Sequence, residues 1–189
     1  MRIISGKYRG KKLITPRGLE TRPTLDRIRE SIFNIISQRI ANARVLDLFA
    51  GTGALGLEAL SRNAGFATFV DNSREACTVI NKNIALLQFE HCTTVIQHDL
   101  TRAGTLARIR PKKFDLVFMD PPYRKGLIDA VLENSEFIDL LADNALVVCE
   151  HGAQENPGIN ISKLDITDQR KYGKTQITFL TLNNAELIL

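Results

Sequence analysis

The chain has 189 residues, enough for one domain with a small appendage and too few for two full-sized ones. Hydrophobic residues make up 44% and charged residues 24%, with 12 Gly and 6 Pro, which excludes collagen, coiled-coil, disordered and membrane classes. The net charge of +4 is unevenly spread: nine Lys and Arg stand against three Asp and Glu in residues 1–30, and 16 against 18 beyond. Such asymmetry points to an arm that faces a polyanion. Cys77, Cys92 and Cys149 show no CxxC or His/Cys spacing, so neither a disulfide framework nor a metal site is expected, and they read as reduced, buried thiols. No apolar run is long enough to span a bilayer, and a cytoplasmic monomer is expected.

In chain order, Ile3-Ile4, the turn residues Ser5-Gly6 and Tyr8 to Ile14 predict a small basic hairpin, so that residues 1–23 form an arm. From Thr24, a candidate N-cap, Leu25, Ile28, Ile32, Ile35, Ile36 and Ile40 fall on one face of a docking helix over 24–40. The core, 44–189, then alternates. Strand-like runs at Arg44–Phe49, Ala67–Val70, Thr93–Ile96, Phe114–Met119 and Ala145–Cys149 are separated by helical patterns such as Leu55–Leu60, Ala76–Leu87 and Leu127–Leu141. This succession predicts a doubly wound, mostly parallel sheet. Two last runs, Ile159–Ile166 and Thr175–Leu182, joined through Lys171-Tyr172-Gly173-Lys174, predict a C-terminal antiparallel hairpin.

The first chemical motif is Asp47-Leu48-Phe49-Ala50-Gly51-Thr52-Gly53-Ala54-Leu55-Gly56, a strand running into a glycine-rich turn and a helix. Glycines there let a ligand approach the backbone. Gly51, Gly53 and Gly56 satisfy GxGxxG, which alone would also suit a dinucleotide. Asp47, however, would repel a pyrophosphate and suit the ammonium of an amino-acid-like ligand. The Asp-x-Phe-x-Gly-x-Gly form resembles motif I of S-adenosylmethionine-dependent methyltransferases. Twenty residues past Gly51, Asp71-Asn72 ends the second strand, where a carboxylate suits ribose hydroxyls. Asp99-Leu100 follows the third strand; by the family pattern Asp99 accepts from an adenine amino group, and a helix N-cap before Thr101 is the other reading.

The discriminating motif is Asp120-Pro121-Pro122-Tyr123, at the carboxyl end of the fourth strand. It resembles motif IV of methyltransferases that modify planar amino groups. An aromatic amine is a poor nucleophile because its lone pair is delocalised into the ring. Asp120 and the Pro121 carbonyl can accept its two hydrogens and draw the nitrogen toward a tetrahedral geometry. Prolines stiffen the segment and carry no competing donor, and Tyr123 offers a stacking face.

With these motifs in hand the arm reads further. Arg2 to Gly6, Tyr8 to Leu13 and, above all, Thr21-Arg22-Pro23-Thr24-x-Asp26-Arg27-x-Arg29-Glu30 resemble the bacterial family that methylates guanine N2 of 16S ribosomal RNA, the RsmD type. The likeness runs from residue 2 to the turn at Thr175. It implies a Rossmann-like class I fold with a seven-stranded sheet. It also implies S-adenosylmethionine held by Asp47, Phe49, Ala50, Gly51, Thr52, Gly53, Asp71, Asn72, Asp99 and Leu100. Catalysis would fall to Asp120, Pro121, Pro122 and Tyr123. RNA of the 30S subunit or its assembly intermediate would be held by Lys7, Arg9, Lys11, Lys12, Arg22, Thr24 and Arg27, with the target base unpaired or flipped out. Otherwise Arg27 and Arg29 are exposed helix charges. Adenine-N6 methylation of DNA, which uses a similar Asp-Pro-Pro-Tyr, and a non-catalytic RNA-binding assembly factor are the alternatives.

Overall fold

Val45 to Leu48 is buried without interruption, the pattern of a strand covered on both faces of a parallel sheet. The computed structural model describes residues 1–16, 23–102, 104–109, 113–122, 126–155 and 163–183, with backbone alone at 23–25. The chain divides into two units, Met1–Asp99 and Leu100–Leu189. Among the described residues the sheet has seven strands, three in the first unit, ordered third-second-first, and four in the second, ordered fourth-fifth-seventh-sixth. The α/β class, the mostly parallel sheet and its antiparallel C-terminal strands agree with the sequence reading.

In the first unit, helix α1 (Pro23–Ile35) precedes β1 (Arg44–Leu48), α2 (Ala54–Ser61), β2 (Phe66–Asp71), α3 (Arg74–Leu86) and β3 (Thr93–Gln97). Proline at the first position of α1 has φ preset for a helix and lacks an N–H that would go unused there. Thr24 is therefore the second helical residue and not the cap. The helix also stops earlier than its periodicity suggests, giving way to a tight turn at Ser37–Arg39. Ile28, Ile32, Phe33 and Ile36 are buried, whereas Ile35, assigned by period to the same face, is 45% exposed. Val45, Leu46, Leu48, Leu57, Phe69, Val70, Ile80 and Leu87 form a core with no exposed surface.

The second unit holds β4 (Phe114–Met119), α4 (Leu127–Leu132), α5 (Ser135–Ile138), β5 (Leu141–Gly152), β6 (Leu164–Tyr172) and β7 (Thr175–Leu182). The single helix expected over 127–141 is two short ones. Asn134 accepts the Glu136 N–H through its side chain and starts α5 anew, as Asn does at helix N-caps. The strand expected at Ala145–Cys149 extends to 12 residues. β6 ends six residues past its predicted run, at Tyr172 and not Ile166, because Leu164 to Tyr172 is a polar outer strand with little buried surface; residues 159–162 are outside the described residues. Charged edges of this kind discourage further strand pairing. Phe114, Phe118, Phe137 and Val147 supply the unit's core. His151, 1% exposed, meets the Thr178 hydroxyl at 2.8 Å across β5 and β7, which gives it a structural place. Cys77 and Cys149 are buried as expected, but Cys92 is only half-buried. No helix among the described residues is long and apolar enough to cross a membrane.

Candidate functional site

The strands β1, β2 and β3 run parallel, so the acids at or just after their carboxyl ends, Asp47, Asp71 and Asp99, stand along one edge of the first unit. Between β1 and α2 the chain turns sharply through Phe49, Gly51 and Gly53, all with positive φ. At +60° Phe49 occupies the left-handed region, which is strained for a bulky side chain and is characteristic of functional loops. Gly56 is required by close approach: a Cβ there would lie 2.4 Å from the Phe69 ring and 3.2 Å from an Asp47 oxygen.

Two carboxylates brace this turn. Asp71 is half-buried; one of its oxygens accepts the Gly51 N–H at 2.8 Å and the other accepts the Ser73 N–H at 2.8 Å. Ser73 in turn caps α3 by accepting the Ala76 N–H. Asp47, 2% exposed, accepts the Gly56 N–H at 2.9 Å. Burial pushes its carboxyl up from an ordinary 3.8 to about 8, an effect the Gly56 N–H opposes and the Asp71 charge adds to. Ala50, Thr52 and Gly53 are buried, Asn72 is exposed and Asp99 half-buried. Thr101 stands in a turn and starts no helix, so Asp99 is not an N-cap.

In the second unit, Asp120-Pro121-Pro122 leave the carboxyl end of β4. Asp120 and Pro122 are exposed and Pro121 is buried. Leu100 is buried at 6%. Tyr123 and Arg22 are outside the described residues, as is the side chain of Thr24.

The basic arm is a small hairpin, turned through Gly6 to Lys11 by Arg9 N–H to the Gly6 carbonyl, Gly10 N–H to the Ile3 carbonyl and Lys11 N–H to the Tyr8 carbonyl. A single antiparallel bridge joins Arg2 and Lys12, supported by Ile3 N–H to the Lys11 carbonyl and Leu13 N–H to the Met1 carbonyl. Ile3 and Leu13 point inward and are buried, while Lys7, Arg9, Lys11 and Lys12 are exposed. What fastens the arm is α2. Glu58, with no exposed surface, accepts the Ile4 N–H at 2.7 Å, the Ser5 N–H at 3.0 Å and the Arg62 Nε–H at 2.8 Å. The Ser61 hydroxyl donates to the Ser5 carbonyl and accepts the Tyr8 N–H, and its carbonyl accepts the Lys7 N–H. The fit is tight enough that a Cβ at Gly6 would sit 1.8 Å from the Ser61 carbonyl oxygen. Further along, the Tyr8 ring meets Phe89 edge-on at 5.1 Å.

The two arginines of α1 differ. Arg27 is exposed, but Arg29 is 5% exposed and cannot be a surface charge. Its guanidinium donates to the Arg2 carbonyl and pairs with Asp26 at 3.1 Å; burial holds its pKa below the ordinary value. A cavity of about 630 Å³ lies between arm and helix, lined by Arg2, Lys12, Asp26, Arg27 and Glu30 among others. It brings together Lys12 and Arg27, two of the residues expected to meet RNA. Glu58, Arg29 and Asn83 are contributors that sequence reasoning missed. The one available signal was a lone acid in the apolar run Ala54 to Leu60, four residues before Arg62. Among the described residues no group of three or more acids, His or Cys could hold a metal.

Comparison with known proteins gives a consistent result. The family model described as Conserved hypothetical protein 95 matches residues 1–181. Ribosomal RNA small subunit methyltransferase D of Escherichia coli K12 is 40% identical over 153 residues, covering 79% of this chain and 74% of that one. YlbH of Bacillus subtilis is 36% identical over 177 residues, covering 94% and 96%. The solved structure of Escherichia coli yhhF superimposes with a TM-score of 0.82 at 31% identity, covering 97% of this chain and 98% of that one.

Proposed function

Since the chain belongs to the Conserved hypothetical protein 95 family, the RsmD family, we propose that it is a methyltransferase that uses S-adenosylmethionine to methylate N2 of one guanine in 16S ribosomal RNA. The observation that carries this reading is the edge of the first unit: three acids at successive parallel strand ends beside a strained glycine turn. The substrate is the 30S subunit or its assembly intermediate, and the enzyme works as a cytoplasmic monomer.

The residues suit the cofactor chemically. Each Asp71 oxygen accepts one backbone N–H, which leaves each a lone pair for a ribose hydroxyl. Burial raises the pKa of Asp47, and an ammonium beside it would offset that effect. Gly51, Thr52 and Gly53 let the ligand approach the main chain, Phe49, Ala50, Asn72 and Asp99 are its further contacts in the first unit, and Leu100 is assigned to it by the family likeness alone. When bound, S-adenosylmethionine supplies an electrophilic methyl group on a sulfonium.

Asp120 and the Pro121 carbonyl accept the two hydrogens of the guanine amino group, which exposes the nitrogen lone pair, and Pro122 and Tyr123 fix and stack the base. Positioning supplies most of the acceleration, since effective molarities are worth roughly 7–11 kcal/mol. No strong base is needed beforehand. The methylated nitrogen is acidic and releases its proton to Asp120. The arm, 1–23, and the segment 24–40 that carries α1 form the RNA-binding appendage of the core, 44–189. Lys7, Arg9, Lys11, Lys12, Arg22, Thr24 and Arg27 contact phosphate, a role that the exposure of the described cations supports.

Asp120→Ala tests this assignment. Turnover should fall ~10²-fold or more with S-adenosylmethionine affinity intact by calorimetry, and near-normal turnover would refute it. Wild-type protein that shows no binding at millimolar cofactor would instead be a non-catalytic RNA-binding assembly factor.

A further inference from the structure

Asn83 lies on α3, one turn from its end, and has no exposed surface. A buried primary amide is costly unless its hydrogens and oxygen are matched. Here they are matched, and the partners come from two other segments. Its Oδ1 accepts the Ile14 N–H at 2.7 Å. Its Nδ2 donates to the Ile14 carbonyl at 3.0 Å and to the Thr52 carbonyl at 3.0 Å. The orientation of the amide is unambiguous, because only the oxygen can take an N–H and only the nitrogen can meet two carbonyls. Ile14 is the last part of the basic arm; Thr52 lies in the middle of the glycine turn. A second contact follows the same route, since the Thr52 hydroxyl donates to the Met1 sulfur at 3.3 Å.

We infer that Asn83 is a positioning residue that locks the basic arm and the glycine turn into one geometry, so that releasing the arm from Asn83 weakens binding in the turn. The inference rests on the functional reading above, which puts S-adenosylmethionine in the turn and RNA on the arm. Neither Asn83 nor Ile14 need touch either ligand. Asn83 acts through the Thr52 carbonyl, whose direction sets how Thr52 and Gly53 face the ligand. By linkage, an arm held more firmly by RNA favours the cofactor-competent turn, and bound cofactor favours the docked arm to the same degree.

Three variants of the full chain separate this role from plain stability. Asn83→Ala removes all three bonds. Ile14→Pro removes the arm's N–H and keeps the Ile14 carbonyl, at a side chain already 40% exposed. Val79→Ala trims a buried residue of the same helix that makes none of these bonds. Calorimetry with S-adenosylmethionine should show Kd raised about fivefold or more in Asn83→Ala and in Ile14→Pro. It should stay within about twofold of wild type in Val79→Ala, whatever the loss in Tm. In turnover the effect should fall on KM for the cofactor, with kcat at saturation retained. Hydrogen exchange of the Gly53 amide, bonded to the Ala50 carbonyl at 2.7 Å, should quicken in both linked variants without any ligand. An unchanged Kd and exchange rate in Asn83→Ala, or an equal change in Val79→Ala, would overturn the inference. A response to Asn83→Ala with none to Ile14→Pro would refute the link to the arm. Failure of wild-type protein to bind the cofactor would count against the functional reading, while the exchange measurement would still decide whether the link exists.

Discussion

The glycine turn and the basic arm both lean on α2, yet they are held in opposite ways. The turn is shaped by its own backbone, with positive φ at Phe49, Gly51 and Gly53, and by carboxylates from adjoining strand ends. The arm closes its own short hairpin but takes its place on the body from Glu58, Ser61 and Asn83, more than fifty residues away. A ligand cradle can therefore be built from local rules, whereas the arm's placement is borrowed from two helices it must find during folding.

The sharpest way to break that contrast is to remove the borrowed support. Glu58→Ala removes the carboxylate that Arg62 and the part-buried Ile4 and Ser5 N–H groups share and should cost about 3–5 kcal/mol, seen as a thermal midpoint lower by roughly 6–20 °C. Hydrogen exchange at Ile4 and Ser5 should rise to that of an undocked segment. If α2 fails to fold in that variant, Gly6→Ala displaces the arm from the other side through its clash with the Ser61 carbonyl and should expose the same amides. A docked arm in both would contradict the account of how it is held.

Charge on the arm is separable from docking. Neutralising Lys7, Arg9, Lys11 and Lys12, all exposed, should weaken RNA binding and reduce the magnitude of its salt slope by about 3. Stability and S-adenosylmethionine affinity should hold, because the anchoring bonds come from the backbone. Equal loss of both affinities would show that these side chains are structural.

The smallest effect concerns Asp47. Burial raises its pKa from 3.8 to about 8, so its contribution to stability is fully present below pH 4 and lost as pH rises through 8. Asp47→Asn should accordingly stabilise the cofactor-free protein at pH 8–9 by ~1 kcal/mol or more, about 2–4 °C, and change little at pH 4. The same shift predicts proton release when an ammonium binds beside Asp47 below pH 8, measurable by calorimetry in buffers of different ionisation heat. No release would mean the cofactor's amino group lies elsewhere.

The contrast also explains what could be read from the sequence. Strands β1, β2 and β4 were legible because buried parallel strands are continuous apolar runs, and the glycine turn because its residues are fixed by local φ and close approach. β6 was misplaced because an outer strand of Asp, Gln, Arg and Lys carries no apolar signal. The helix over 127–141 was overextended because periodicity does not reveal that Asn134 restarts it. The roles of Arg29, Glu58 and Asn83 are not legible in the sequence, since the partners they reach on other segments lie 27 to 69 residues away. Spacing rules see neighbours on one element, and these three residues act between elements.

Purified protein, S-adenosylmethionine carrying a tritiated methyl group, and in parallel 30S subunits, naked 16S RNA and DNA should be incubated and the products hydrolysed to nucleosides. Label in N2-methylguanosine from 16S RNA is the predicted result; label confined to DNA as N6-methyladenine, or to protein, would contradict it.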